Sequence, residues 1–480
     1  MAVKPKTKRH VRTDLTVPKG EPLVTFGELV GYLRDAATEF SDPRTGASIR
    51  YELDDVALGT FGTFYIQSAS FLAYQQAMEE KYGLSNAQTL FGIRNIPSDT
   101  HIRTLMDVQS PVSFAPVFTA CLGALKRTGL LGAYAVPISP SSATLLCALD
   151  GVQYFGSDHV HCNNCTVKTH TQDGKTTVGY SHTMVTPTLV APGSNIVISL
   201  LPEFITPQDG ADKQDCELNA SKRWLDRSVV PALEGETMTI LGDDLYAHEP
   251  FCREVHAAGH HFIFVAKPGT HKALYEAAEQ PGVTKRVVAT EPTDTGFVTR
   301  TYDYAVRLPL RAGARALSVN FVEMTEVTTR TTLRGQPLDT PRVTQTYHNA
   351  FVSDHELNPQ TVALVAAAGR ARWKVENENN NTLKTKGYHL EHNYGHGKNQ
   401  LAAVLATMNI LAFLFHTILD LGNLQYQCLR ALLTRARLFD HVKINLIYHC
   451  YTSMESLLTW MAKEILYPHA PPPAGVPIER

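Results

Sequence analysis

The chain has 480 residues, with 44 Lys+Arg against 46 Asp+Glu, and so a formal net charge of −2. Hydrophobic residues are 44% and charged residues 19%, which excludes a disordered chain, a collagen-like repeat and a coiled coil. The length suits roughly two to four modules, and the near-zero charge speaks against a nucleic-acid partner if the charges are evenly spread.

Residues 1–12 carry Lys4, Lys6, Lys8, Arg9 and Arg12 and no acid. No apolar stretch follows, so this segment reads as a basic tail and not as a secretory signal. It is either plain solvated chain or a DNA-phosphate contact. Residues 22–135 read as mostly helical, with 23–38, 68–82 and 101–127 as examples. Asp99 is a candidate cap, because its carboxylate can accept from free first-turn N–H groups.

The pattern changes near residue 143. Residues 143–150 form a nearly continuous apolar run ending in Asp150, as expected of a buried strand. Further strands are expected at 176–189 and 195–201, a helix at 212–229, and a strand at 237–241 that ends at Gly242-Asp243-Asp244. A helix at 248–258 and a strand at 261–266 follow. Residues 284–353 are rich in Thr, Val, Arg and Tyr with period-two alternation, as in a β-rich insertion turning at Ala312-Gly313 and Gly335-Gln336-Pro337. Helical character returns near Pro359 and continues, with breaks, to about residue 465, before a Pro-rich tail at 468–477.

The apolar run 401–419 is long enough for a membrane span. It contains Asn409, His416 and many Ala, and Asp420 follows, so a buried core helix is expected and no membrane partner. Cys121, Cys147, Cys216, Cys252, Cys428 and Cys450 are scattered and read as reduced thiols, which fits a cytoplasmic protein.

Three carboxylates occupy strategic positions. Asp150 and Asp243 end buried strands, and Glu376 lies on the helix after the insertion. If the two strands are neighbours, the Asp side chains converge, and a Glu packed across the same edge completes a cluster. Like charges so close need a cation. Two divalent ions, Mg²⁺ or Mn²⁺ with hard oxygen ligands, would relieve the repulsion and drive phosphoryl transfer. Taken alone, the spacing equally fits acids in solvated loops. Cys162-x-x-Cys165 forms a second cluster. With His170 and His182 it offers two thiolates and two imidazoles, a set that suits structural Zn²⁺. The alternative is a loop of packed or exposed Cys and His.

Specific stretches extend the first pattern. They are Leu149-Asp150-Gly151-Val152-Gln153-Tyr154-Phe155, His161-Cys162-Asn163-Asn164-Cys165 with Tyr180-Ser181-His182, Gln214-Asp215-Cys216-Glu217-Leu218-Asn219-Ala220 with Lys222-Arg223-Trp224, Gly242-Asp243-Asp244-Leu245-Tyr246-Ala247, and Arg370 to Gly397. On these the chain resembles the DDE-type transposases of bacterial insertion sequences, over about residues 96–420. The resemblance implies an α/β fold: a ribonuclease-H-like mixed sheet flanked by helices, with helical N- and C-terminal regions and a β-rich insertion before the Glu. The order of strands and helices above agrees with it. The regions would be 1–135, a helical candidate for DNA-end binding; 136–283, the first part of the catalytic core; 284–358, the insertion; 359–420, the Glu helix and the next helix; and 421–480, helical with a loose tail.

The resemblance also implies that Asp150, Asp243 and Glu376 are the metal-binding catalytic trio. Asp244 competes with Asp243, but the family's spacing to the following Leu favours Asp243. Glu378 competes with Glu376, but the Arg-x-x-x-Glu spacing from Arg372 favours Glu376. Arg372 would meet a DNA phosphate, with Lys384, Lys386, Lys222 and Arg223 as further DNA contacts. Many relatives carry a Tyr three residues before the Arg and a Lys seven after the Glu; here these are Gly369 and Leu383.

The implied reaction is cleavage at transposon terminal inverted repeats by a metal-activated water. The freed 3′-hydroxyl would then join target DNA, in a homodimer or higher assembly on a bacterial nucleoid. A silent captured transposase acting as a DNA-binding regulator, or a metal-dependent nuclease without strand transfer, would use the same residues. The net charge is reconciled by distribution: bases cluster at 1–12, at Arg370, Arg372, Lys374, Lys384, Lys386 and Lys398, and at Arg430, Arg435, Arg437 and Lys443. A continuous basic surface leading to the trio is therefore expected.

Overall fold

A computed structural model describes the chain except residues 1–15, 46–48, 81–82, 173–174, 208–214, 227–232, 234, 334 and 468–480, and the side chains of His170, Gln172 and Lys175. The basic tail 1–12, the Pro-rich tail and both ends of the expected helix 212–229 thus lie outside the described residues. The chain divides into two compact units: Met1–Leu130 with Thr382–Arg480, and Leu131–Asn381.

The second unit is mixed α/β. Its strands in chain order are β1 (Ala135–Ser139), β2 (Ser142–Ala148), β3 (Gly151–Ser157), β4 (Thr166–Gln172), β5 (Lys175–Val185), β6 (Thr188–Val190) and β7 (Ile198–Ser199). They continue with β8 (Glu203–Ile205), β9 (Met238–Gly242), β10 (His261–Val265), β11 (Lys285–Thr293), β12 (Gly296–Pro309), β13 (Ser318–Leu333) and β14 (Gln336–Ser353). The main sheet has the order β11-β12-β13-β14-β10-β9-β2-β6-β7, with β1 on β2. β2, β9 and β10 run parallel, and their residues are largely buried, which is why they read as continuous apolar runs. The helices Glu249–Ala257 and Val362–Arg370 both pack on β10.

The expected strand 176–189 is two strands. It breaks at Thr186-Pro187, where proline removes a ladder donor. β5 belongs to a second sheet, β3-β5-β4 with β8 on β5, whereas β6 belongs to the main sheet. β3 and β4 occupy a stretch expected to be loop. The insertion is a meander, β11 to β14, but not a separate body. β14 pairs with β10, Ile263 opposite Ser353 and Val265 opposite Phe351, so it prolongs the main sheet. The expected turn at Gly335 is present, with φ +80° there.

The other unit is helical. It joins Phe26–Ala37, Leu53–Tyr65, Phe71–Ala77, Asn86–Phe91, Asp99–Met106 and Ala115–Arg127 to Leu401–Gly422, Leu424–Leu432, Arg435–Tyr448 and Met454–Leu466. The expected N- and C-terminal regions are therefore one unit, and the helix after residue 400 belongs here and not with the carboxylates. The expected helix 101–127 is broken at Ser110-Pro111. Its cap is Ser98, whose Oγ accepts from the His101 N–H; Asp99 sits in the first turn and pairs with Arg103 at 2.8 Å.

Leu401–Gly422 is the one unbroken helix among the described residues long and apolar enough to cross a membrane, and 94% of its apolar window is buried. Its polar groups are used inside: Asn409 Nδ2 donates to the Tyr388 carbonyl at 2.7 Å, and His416 Nδ1 shares a hydrogen bond with Tyr388 Oη at 2.6 Å. Its N-terminus is capped from a distance. Asp107 Oδ1 accepts from the N–H groups of Asn399 and Leu401, both at 3.0 Å, and Oδ2 from Lys398 N–H at 3.1 Å.

One carboxylate thus satisfies three otherwise free donors. Asp107→Ala should cost about 2–3 kcal/mol of stability, read as a fall in thermal midpoint, and Asp107→Asn should cost less.

Candidate carboxylate site

The site is set by one register. Ala148 on β2 lies opposite Leu241 on β9, and Leu149 N–H donates to the Leu241 carbonyl at 2.9 Å. Two positions on, Asp150 and Asp243 leave adjacent parallel strands side by side. Neighbouring strands stand about 4.8 Å apart, so the two carboxylates share one sheet edge.

Asp243 and Asp244 have different occupations. Asp243 Oδ1 accepts the N–H of Leu245 two residues on, at 2.8 Å. Asp244 is spent on the loop after β10, accepting from Lys267 N–H and Thr270 Oγ1, both at 2.7 Å.

Glu376 does not lie on a regular helix. Val362–Arg370 is followed by a 3₁₀ turn, Ala371–Trp373, and a π-helical turn, Val375–Asn380. Arg372 Nη1 lies 3.0 Å from Glu376 Oε1. Four residues beyond, Asn380 Nδ2 donates to Asp150 Oδ2 at 2.8 Å, while Asn380 Oδ1 accepts from Thr186 Oγ1 at 2.9 Å. Thr186 N–H in turn donates to the Asp150 carbonyl at 2.9 Å. The Glu segment is thus tied directly to Asp150.

A fourth carboxylate joins these three. Glu217 opens the helix Glu217–Asp226, and its Oε1 accepts from Tyr246 Oη at 2.7 Å. A Cβ at Gly151 would collide with Glu217 Oε2, so Gly151 lets this acid approach the residue next to Asp150. Tyr246 is three residues past Asp243, so Glu217 is buttressed against the neighbours of both aspartates. The sequence held Glu217 within a matched stretch, but nothing in its spacing distinguished it from Asp215. Asn380 was also missed, being one of a run of asparagines at 379–381.

The electrostatics follow from this crowding. Burial, then the carboxylates of Glu376 and Glu217, push Asp150 up to about 7, with Arg372 opposing. Glu217 is also raised, by burial first and by Asp243 among its neighbours, with the Tyr246 hydroxyl opposing. Hard oxygen donors crowded together, with Arg372 only partly offsetting their repulsion, fit a divalent cation. Tighter ligand groups exist elsewhere in the unit: the donor atoms of Cys162, Cys165 and His182, and of His261, Asp354 and His355, lie within 4.8 Å of one another. The four acids form a wider group.

Several bases expected to line a DNA-facing surface are instead paired with acids or buried. Arg370 reaches Glu326 at 3.0 Å and covers the Tyr347 ring at 4.3 Å. Lys374 is buried, with burial lowering its pKa. Arg223, expected at DNA, is spent inside: Nε donates to Glu203 Oε1 at 3.0 Å, Nη1 and Nη2 to Asp215 at 3.1 and 2.7 Å, and Nη2 to the Phe204 carbonyl at 3.0 Å. Both carboxylates are buried, so the guanidinium is needed there. Lys222 pairs with Glu254 at 2.8 Å on a half-exposed face. In the helical unit, Lys384 pairs with Glu391 at 2.7 Å, whereas Lys386 and Lys398 are exposed. Two bases of the later cluster turn inward, whereas Arg437 is exposed. Arg430 faces Asp420 at 3.7 Å, and Arg435 donates to Tyr388 Oη at 3.0 Å. The side chain of His170, expected in the Cys162 group, lies outside the described residues. The His170 backbone pairs with Thr177, five positions along β4 from Cys165, about 17 Å at strand rise.

No family model and no curated protein matches the chain.

Two outcomes test this geometry. Asp150 has a folded-state pKa above its unfolded value, so the folded state binds more protons between about pH 4 and 7 and loses stability as pH rises through that window. Asp150→Asn in chelator should therefore raise the thermal midpoint at pH 8, by about 1–3 kcal/mol of stability, and change little at pH 4. Arg223→Ala should cost about 3–5 kcal/mol by stranding two buried carboxylates, a loss visible without any DNA present.

Proposed function

We infer that the chain is a DDE-type transposase whose carboxylate group binds two divalent cations and cuts and joins DNA strands. The observation that carries this is the placement of Asp150 and Asp243 at adjacent ends of parallel strands, with the Glu376 segment bonded to Asp150 through Asn380. The strand order supports the ribonuclease-H comparison: on one side β2 pairs antiparallel with β6, which pairs antiparallel with β7, and on the other side β9 and β10 run parallel to it. The β-rich insertion falls between β10 and the Glu, as in the family that the sequence resembles.

Asp150, Asp243 and Glu376 would hold the ions, with Glu217 close by. Bound divalent ions would supply Lewis-acid stabilisation of charge building on the phosphate. The chain's own residues do the positioning. Asn380 holds the Asp150 carboxylate and Thr186 its backbone carbonyl, and Arg372 steadies Glu376 while setting a positive charge at the edge of the acids. Tyr246 holds Glu217. DNA contacts in this unit would come from exposed cations separated in sequence. Lys267 is exposed just past the end of β10, on the same sheet edge as Asp243, and Arg330 and Arg342 face each other in register on the exposed β13–β14 arm. Two like charges directly opposite are unfavourable without an anion.

The test is an in vitro assay with the full chain, Mg²⁺ or Mn²⁺, and DNA carrying the ends that flank its own gene. End cleavage and strand joining are expected. Asp150→Ala, Asp243→Ala and Glu376→Ala should each lower the rate about 100-fold or more, whereas Glu378→Gln should leave it within about twofold of the wild type. Full activity in any of the three alanine variants would remove the assignment. Specific binding with no cleavage would point to a DNA-binding regulator, and cleavage without joining to a nuclease.

A further inference from the structure

The second sheet carries a side-chain cluster that phosphoryl transfer does not use. Cys162 and Cys165 sit in the turn entering β4, where Cys165 N–H donates to the Cys162 carbonyl at 3.2 Å. The β4–β5 register sets Thr166 opposite Ser181, which brings His182 on β5 level with Cys165. Three soft or borderline donors then meet. Cys162 Sγ is 4.0 Å from Cys165 Sγ, and His182 Nε2 is 3.5 Å from the first sulfur and 3.4 Å from the second.

These separations are those of one tetrahedron. Zn–S bonds of about 2.3 Å and Zn–N bonds of about 2.0 Å place ligand atoms about 3.5–3.8 Å apart along the edges. A disulfide needs sulfurs at about 2.05 Å, so the 4.0 Å pair is unbonded. One backbone donor and one ring orient the group. Cys162 N–H points at Cys165 Sγ at 3.4 Å, and His182 is held in orientation against the buried Tyr154 ring, 5.6 Å away and nearly parallel at 15°.

We propose that Cys162, Cys165 and His182 form a structural zinc site, with the fourth position taken by one further donor. Zinc fastens the turn to β5. Four residues past His182, Thr186 holds Asp150 through its backbone, so the ion braces the sheet beside the carboxylates without joining their chemistry. The site is independent of the DNA-cutting assignment, because its readout is metal content and not activity.

The test is metal analysis of the full chain purified without chelator. About one zinc per chain is expected, and X-ray absorption should show two sulfur ligands at about 2.3 Å with nitrogen or oxygen completing the shell. Co²⁺ in place of zinc should give thiolate-to-metal charge-transfer absorption. The paired substitution Cys162→Ser with Cys165→Ser should lower bound zinc at least about tenfold, while Cys216→Ser, at an exposed thiol, should keep it. The absorption spectrum of the wild-type chain needs no variant, so a misfolded variant leaves the proposal open to refutation. Wild-type protein without zinc, zinc with no sulfur in its shell, or a Cys162–Cys165 disulfide in the isolated chain would each overturn it.

Discussion

The pairing of β2 with β9 governs the site. It places two acids at neighbouring strand ends, where backbone hydrogen bonding fixes their spacing and leaves no room to separate. Two carboxylates at strand distance repel, and burial of Asp150 sharpens this by removing the water that would screen it. Glu217 and Glu376 add to the same repulsion, and Arg372 is the cation that offsets it. Folding therefore produces a group that is under strain as an isolated set of anions. Such a group is retained only where surrounding packing holds it in place.

That packing is specific. Gly151 and Gly242 flank the aspartates, and a Cβ on either would collide, with Glu217 at the first and with the Tyr246 ring at the second. Both glycines let bulky or charged neighbours close around the strand ends. Gly369 lies against Phe351 and Ile263, so the helix Val362–Arg370 reaches the sheet closely. The tyrosine that many members of the resembled family carry there would not fit this approach. Past that contact the helix changes pitch twice, from α to 3₁₀ to π. Each change rotates the following side chains relative to the sheet. A π turn inserts an extra residue per turn and is often found where a functional side chain must be re-aimed. Here it serves Glu376 and Asn380 together.

Much of this was legible and some was not. The buried strands of the main sheet could be read because parallel strands covered on both faces are continuously apolar, as in residues 143–150 and 237–241. Which strands become neighbours is a tertiary property, so the meeting of Asp150 and Asp243 could be stated only as a condition. The break at Thr186-Pro187 carried a readable proline, whose effect is to send one apolar run into two sheets. β4 held only a run of β-branched residues, Thr166, Val167, Thr169 and Thr171, a propensity signal hidden by the metal-ligand spacing laid over it. Glu217 and Asn380 had no sequence signal of their own, since their roles come from Tyr246, Gly151 and Asp150 reaching them across the fold.

Charge shows the same limit from the other direction. A run such as Arg370-Ala371-Arg372-Trp373-Lys374 looks like a phosphate-binding face, because sequence counts charges but not where side chains point. In the fold, Arg370 answers the buried Glu326, Lys374 is withdrawn from solvent and Arg372 faces Glu376. Each positive charge in that run is matched to an acid or taken inside, so its contribution to an outward field is small. For the proposed reaction the electrostatic work then falls on cations that no window of sequence collects, Lys267 at the sheet edge and the Arg330–Arg342 pair on the arm. A total of −2 does not oppose a DNA partner. A cluster of bases in the sequence does not create one either; the exposed cations have to be located on the folded surface one by one.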